Sequence, residues 1–154
     1  MSVSQEAHGS IVLKFVIVIL FGVLVYVVYQ PFVIQQQEQL YQKESRLRML
    51  NLRTAELQYI SDFGVYASSP DSLVSFIKRK IERGSLSEQN FKPLSRTPFV
   101  PESLLHTPKS LRPYKITAVD TTVIKKYIIE DPDGYGSIGS LTDENRINKA
   151  SWED

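Results

Sequence analysis

The stretch from Ile11 to Tyr29 limits what this chain can become more than any other. It reads Ile-Val-Leu-Lys-Phe-Val-Ile-Val-Ile-Leu-Phe-Gly-Val-Leu-Val-Tyr-Val-Val-Tyr, with Lys14 as its only charge. From Phe15 onward, through Phe21, its only polar side chains are Tyr26 and Tyr29. A bilayer core about 30 Å thick is crossed by roughly 20 apolar residues in a helix. This run meets that length when Lys14 lays its stem along the apolar surface and keeps its ammonium in the interface. Tyr26 and Tyr29 then fall at the opposite interface, where amphipathic rings prefer to sit. Apolar residues cover every face, unlike the one-sided helices of a small soluble domain. The run also exceeds the 7–15 apolar residues of a secretory signal, and no small-x-small cleavage pattern follows it. The expectation is a retained membrane helix over residues 11–31, with Pro31 marking its exit, a polar tail over 1–10 and one soluble domain over 32–154.

Charge placement orients the span. Lys14 lies at its front, and no Lys or Arg occurs from Phe15 to Gln42. Flanking cations stay in the cytoplasm. The expected location is therefore the inner, cytoplasmic membrane, with a cytoplasmic N-terminus and a periplasmic domain. A net charge of +1 gives no basic surface for nucleic acid. The chain has no cysteine, which excludes disulfides, thiolate metal sites and a cysteine nucleophile.

Beyond Pro31 the apolar helix is expected to continue to about Phe63. Leu40, Leu47, Leu50, Leu57, Ile60 and Phe63 recur at helical spacing, and Gly64 offers a stop. Ser69-Pro70-Asp71 opens a second helix: a serine N-cap, proline at the first helical position and an acid at the positive end of the dipole. Leu73, Val74, Ile77 and Ile81 form its apolar face, and Gly84 ends it. Lys78, Arg79, Lys80 and Arg83 cluster at its C-terminal end, as a solvated face or a contact for anionic lipid.

From Ser85 to Pro113 five prolines forbid a long helix or a central strand. This segment still carries Phe91, Leu94, Phe99, Val100, Leu104, Leu105 and Leu111. It either drapes over its own sheet or lies along a partner protein, and Phe91, Leu94, Phe99, Leu104, Leu105 and Leu111 are the candidate contacts. Tyr114–Val119 and Val123–Ile129 are rich in β-branched and aromatic residues and read as a hairpin turning at Asp120-Thr121-Thr122. A loop rich in glycine and aspartate follows, from Glu130 to Ser140. Trp152, the only tryptophan, either packs back on the domain or anchors an interface. The fold class is thus α+β: a transmembrane helix continuing into a long amphipathic helix, packed on a small antiparallel sheet, with a proline-rich loop.

This order resembles the type IV pilins, and most of all the major pseudopilins of type II secretion. The likeness rests on the N-terminal apolar helix, Arg53-Thr54-Ala55-Glu56-Leu57-Gln58-Tyr59 with Gly64 and Tyr66, Pro113-Tyr114 opening a strand, the Asp-Gly loop and Ser151-Trp152. It implies a pilin-like soluble domain and a calcium site in the loop. The chain departs from the pattern at Lys14: counted from a cleavage point at Gly9-Ser10, it stands where a pilin carries glutamate.

No nucleophile elbow, phosphate loop, His-Glu-x-x-His or dinucleotide fingerprint occurs, and the histidines are only His8 and His106. The expectation is a protein without catalysis. Asp131 and Asp133, with Asp143 and Glu144 downstream, are the carboxylates calcium would take, although Asp-Gly is equally ordinary turn chemistry. The leading functional expectation is a single-span accessory subunit that stabilises a larger membrane protein complex. Energy-converting complexes, photosynthetic reaction centres or respiratory assemblies, use subunits of this shape. Its partners would be integral membrane subunits and the lipid bilayer. A pseudopilin-like component of a secretion or pilus machine, and a membrane-tethered calcium-binding or sensor domain, are the alternatives.

Overall fold

A single α-helix, α1, spans Ile11–Phe63 in the computed structural model, which describes residues 11–95, 97–120 and 123–153. The polar tail with His8 and Gly9-Ser10, and the turn residues Thr121 and Thr122, lie outside the described residues. The chain divides into two compact units, one ending at Gln39 and one beginning at Leu40.

In the first unit α1 meets no other element, and every residue from Ile11 to Gln37 is exposed. By length and composition this is the one helix among the described residues that can cross a membrane. As expected, the helix continues through Pro31. Proline supplies no N–H, so one intrahelical bond is missing there.

In the second unit α1 runs on to Phe63 and stops where expected. Gly64 takes a left-handed φ of 71° and its N–H closes on the Ile60 carbonyl at 2.8 Å, the usual glycine stop. A second helix, α2, covers Pro70–Glu82; Ser69 caps it by accepting from the Ser72 N–H at 3.3 Å. Pro70, Leu73, Val74, Phe76 and Ile77 are its buried face, close to the periodic set read from sequence.

The buried face of α1 differs from the leucine stripe. Leu40, Leu57 and Phe63 are exposed, whereas Ser45, Met49, Asn51, Leu52, Ala55 and Glu56 are buried. Three of those six are polar, and each has a hydrogen-bond partner inside the domain. Apolar periodicity misplaces a helix face that contains such residues.

The sheet is antiparallel, with strands β1 (Lys115–Val119), β2 (Lys126–Glu130) and β3 (Ser137–Gly139) in that order. Its register places Ile116 beside Ile129 and Ile129 beside Ile138. All three are buried, so one isoleucine from each strand lines up across the sheet and faces the core. Tyr127, two residues from Ile129, shares that face and is fully buried.

β2 begins later than expected. Val119 pairs with Lys126, so residues 120–125 form the connection and Val123 and Ile124 are exposed. The third strand, read as loop from sequence, forms because Ile138 supplies one buried side chain between two positions of β2. Its outer edge is closed by the C-terminal segment. The Ser151 N–H donates to the Ser137 carbonyl at 2.8 Å, and the Gly139 N–H donates to the Lys149 carbonyl at 3.0 Å. Gly139, with φ 90°, lies so close to β2 that a Cβ there would sit 2.3 Å from the Tyr127 carbonyl oxygen.

Candidate functional site

Two features distinguish the chain: an apolar helix that no other described residue covers, and a polar seam that ties the proline-rich segment to α1. Lys14, Phe15, Phe21, Tyr26 and Tyr29 all lie on exposed turns of α1. Neither Lys14 nor the two tyrosines can be satisfied by other residues of a packed core here, because no core surrounds them.

The seam is built from polar residues of α1 between Glu44 and Asn51. The Ser95 N–H donates to Glu44 Oε2 at 2.7 Å, and Arg48 Nη1 donates to the His106 carbonyl at 2.8 Å. Asn51 bonds both main-chain groups of Lys92, donating to its carbonyl at 2.9 Å and accepting from its N–H at 2.7 Å. Ser45 Oγ lies 2.8 Å from the Tyr114 hydroxyl. Four α1 side chains therefore hold points spread from Lys92 to Tyr114. Apart from short 3₁₀ turns at Glu88–Asn90 and Pro101–Leu104, this segment has no regular element to satisfy its backbone, and these side chains supply partners at the points they reach.

The apolar residues of that segment follow it inward. Phe91, Leu94, Phe99 and Leu104 are buried in the domain, with the Phe91 and Phe99 rings stacked at 4.2 Å. Leu105 packs against the same core. The segment thus drapes over its own domain, with Phe91, Leu94, Phe99 and Leu104 buried in it and Leu105 partly so. Leu111 is different: it is 71% exposed and holds a left-handed φ of 56°, a conformation unfavourable for a side chain of this kind. Its loop is fixed on both sides. The Thr107 N–H donates to the Arg112 carbonyl at 2.8 Å, and Arg112 Nη2 reaches the Pro132 carbonyl at 2.7 Å and Asp133 Oδ1 at 2.8 Å.

Asp131 and Asp133 are drawn into this seam. Asp131 accepts from the Ser45 hydroxyl and from the Asp133 N–H, the latter at 2.6 Å. Asp133 accepts from Arg112 and, at 3.2 Å, from the Ser110 N–H. Burial alone would push the Asp133 carboxyl up, but hydrogen bonds from Ser110, Arg112 and Thr107 together hold it well below the usual carboxylate range. All four carboxylate oxygens of the pair thus accept bonds from protein donors. Asp143 caps a short 3₁₀ turn and Glu144 pairs with Lys126 at 3.3 Å. Among the described residues no group of three or more His, Cys, Asp or Glu is placed to hold a metal ion.

Trp152 is half-buried and turns back on the domain. Its ring occupies the space a Cβ on Gly136 would need, 2.6 Å away, and the Arg46 guanidinium lies 4.9 Å from its centroid.

Sequence reasoning passed over Glu56. It is fully buried on α1, and its Oε2 accepts from the Ala67 N–H at 2.9 Å across the turn to α2. Its Oε1 is buried without a hydrogen-bond partner. Burial raises its carboxyl to about 7, against the opposing pull of the Ala67 N–H. The sequence signal was its position: glutamate interrupts an otherwise apolar or small face one turn beyond Leu52.

No protein-family model, curated protein or solved structure matches this chain.

Proposed function

We propose that this chain is a non-catalytic, single-span accessory subunit of a larger membrane protein complex. Residues 11–31 anchor it in the inner membrane, and the α+β domain lies on the periplasmic side, where it stabilises assembly. The observation that carries this reading is the uncovered apolar helix joined to a domain whose polar groups serve its own architecture. Lipid and the helices of multi-span subunits are the surfaces that could cover Ile11–Ile34. The polar clusters described above satisfy main-chain groups of the domain itself. The fixed, exposed Leu111 offers the domain one apolar contact for a neighbour.

The test is purification from native membranes in mild detergent, followed by mass spectrometry of what co-migrates. Stoichiometric recovery with multi-span subunits supports the proposal and identifies the process. Recovery as a lone monomer ends it.

A second reading has its own support. One long apolar N-terminal helix leading into a domain with a small antiparallel sheet is compatible with a pilin-like shape. A pseudopilin-like role would require cleavage of the chain after Gly9. Finding an N-terminus at Ser10 in cells would favour it over the accessory-subunit reading.

A further inference from the structure

We propose that Glu56 is a proton-operated latch on the turn between α1 and α2: neutral, it holds Ala67 against α1, and ionised, it releases the turn. The geometry has three parts. Glu56 is fully buried, and one of its oxygens has no hydrogen-bond partner. Its other oxygen makes the bond that fixes the Ala67 N–H, at 2.9 Å. That N–H lies in the short Gly64–Ser69 connection, whose glycine takes φ 71°.

Apart from the Ala67 N–H, whose pull burial outweighs, the groups around the carboxyl do not favour its charge. Tyr66, from the turn, and Tyr127, from β2, pack ring on ring at 4.4 Å, and a charge on Glu56 would act on both hydroxyls. Arg53, one turn earlier on α1, is engaged by Glu153 at 3.2 Å and by the Asn148 carbonyl at 3.0 Å. Lys80 of α2 pairs with Asp62 at 2.8 Å. Lys125 pairs with Asp120 at 3.1 Å and donates to the Gly64 carbonyl. Among the described residues no cation lies within ion-pair distance of Glu56. A neutral carboxyl can stay inside; a carboxylate with one bare oxygen reaches water most directly by opening the turn that covers it. Opening frees Ala67, Ser69 with its cap, and the start of α2.

The experiment uses the full chain in detergent micelles, with carbon-13 in the glutamate carboxyls. Titration of Glu56 should show a midpoint near neutrality, well above that of the exposed glutamates. Amide exchange at Ala67, corrected for base catalysis, should speed up roughly tenfold between about pH 6 and pH 8. Glu56→Gln should abolish that acceleration while leaving exchange elsewhere on α2 unchanged. A Glu56 midpoint below about pH 5, or an Ala67 rate that does not change with pH in the wild type, overturns the proposal. So does a Glu56→Gln chain that retains the pH response. If Glu56→Gln does not fold, the two wild-type measurements decide the matter alone.

Discussion

Asn51 treats Lys92 as a neighbouring strand would: its side-chain amide donates to the Lys92 carbonyl at 2.9 Å and accepts from the Lys92 N–H at 2.7 Å. One residue on α1 thereby replaces the backbone partners that a proline-rich segment cannot make for itself. Asn51→Leu removes both bonds and leaves two main-chain groups unpaired at a part-buried position. The expected loss is about 2–3 kcal/mol. The segment from Phe91 to Leu105 should also be cut faster by protease. Chemical denaturation with limited proteolysis checks both. An unchanged cleavage rate would mean that Phe91, Phe99 and Leu104 alone hold the segment.

Arg112 and Asp133 make a second tie, at 2.8 Å. The sign of its pH dependence follows from the lowered carboxyl. A group whose folded pKa is depressed adds stability that is present above the ordinary carboxylate range. That stability is lost as pH falls through that range toward the folded value. Asp133→Asn should therefore weaken the domain at neutral pH and flatten its response to acid. Thermal melts between about pH 3 and pH 7 test this, and parallel acid responses for the two chains would refute it.

Glu56 acts in the opposite sense. Its folded pKa of about 7 lies above the ordinary value of 4.5. The stability linked to its proton is fully present below that ordinary value and is lost as pH rises to about 7. The full difference is about 3 kcal/mol. Glu56→Gln should keep a nearly constant stability over the range where the wild type declines. Urea titrations at several pH values give the slope directly.

Gly139 cannot be replaced cheaply. Its φ of 90° suits glycine, and an added Cβ would lie 2.3 Å from the Tyr127 carbonyl oxygen, a main-chain atom. Gly139→Ala should destabilise by more than about 1 kcal/mol and disturb the pairing of β3. A wild-type melting temperature for this variant would show that β3 pairs more loosely than the structure implies.

In the apolar helix, Leu20→Arg places a charge near the middle of Ile11–Tyr29. Translocon-mediated insertion of arginine at a helix centre costs about 2.5–3.5 kcal/mol. The fraction retained in membranes after alkaline carbonate extraction should fall. Retention equal to the wild type would mean that something other than lipid covers this helix.

How far the sequence disclosed this structure depends on what stabilises each part. The apolar run and the Ser69-Pro70-Asp71 start of α2 act locally, through solvation and capping, so they are legible in order along the chain. The buried face of α1 is not. Ser45, Asn51 and Glu56 are inside because groups distant in sequence, Tyr114, Lys92 and Ala67, meet them there. No periodicity encodes those meetings. For the same reason Phe91, Phe99 and Leu104 could be read as facing a partner until the α1 side chains that fasten their segment were in view. β3 escaped because one isoleucine between glycines is a strand only beside β2. The polar seam was half visible: Asp131 and Asp133 stand out as acids, but the donors outside their own loop come from two distant segments, Ser45 on α1 and the loop carrying Ser110 and Arg112.

The closing of β3 by residues near Lys149 and Ser151 has a kinetic side. Arg53, early in the domain, reaches Asn148 and Glu153, and Arg46 covers Trp152. The first helix of the domain and its last turns complete one another, and loop closure over so long a span is slow. A ribosome that has delivered α1, α2 and the hairpin still holds a chain whose sheet edge is bare. The domain therefore matures only after residues 148–153 have emerged. Until then the outer edge of β3 stays open and the unfinished domain is exposed to proteolysis.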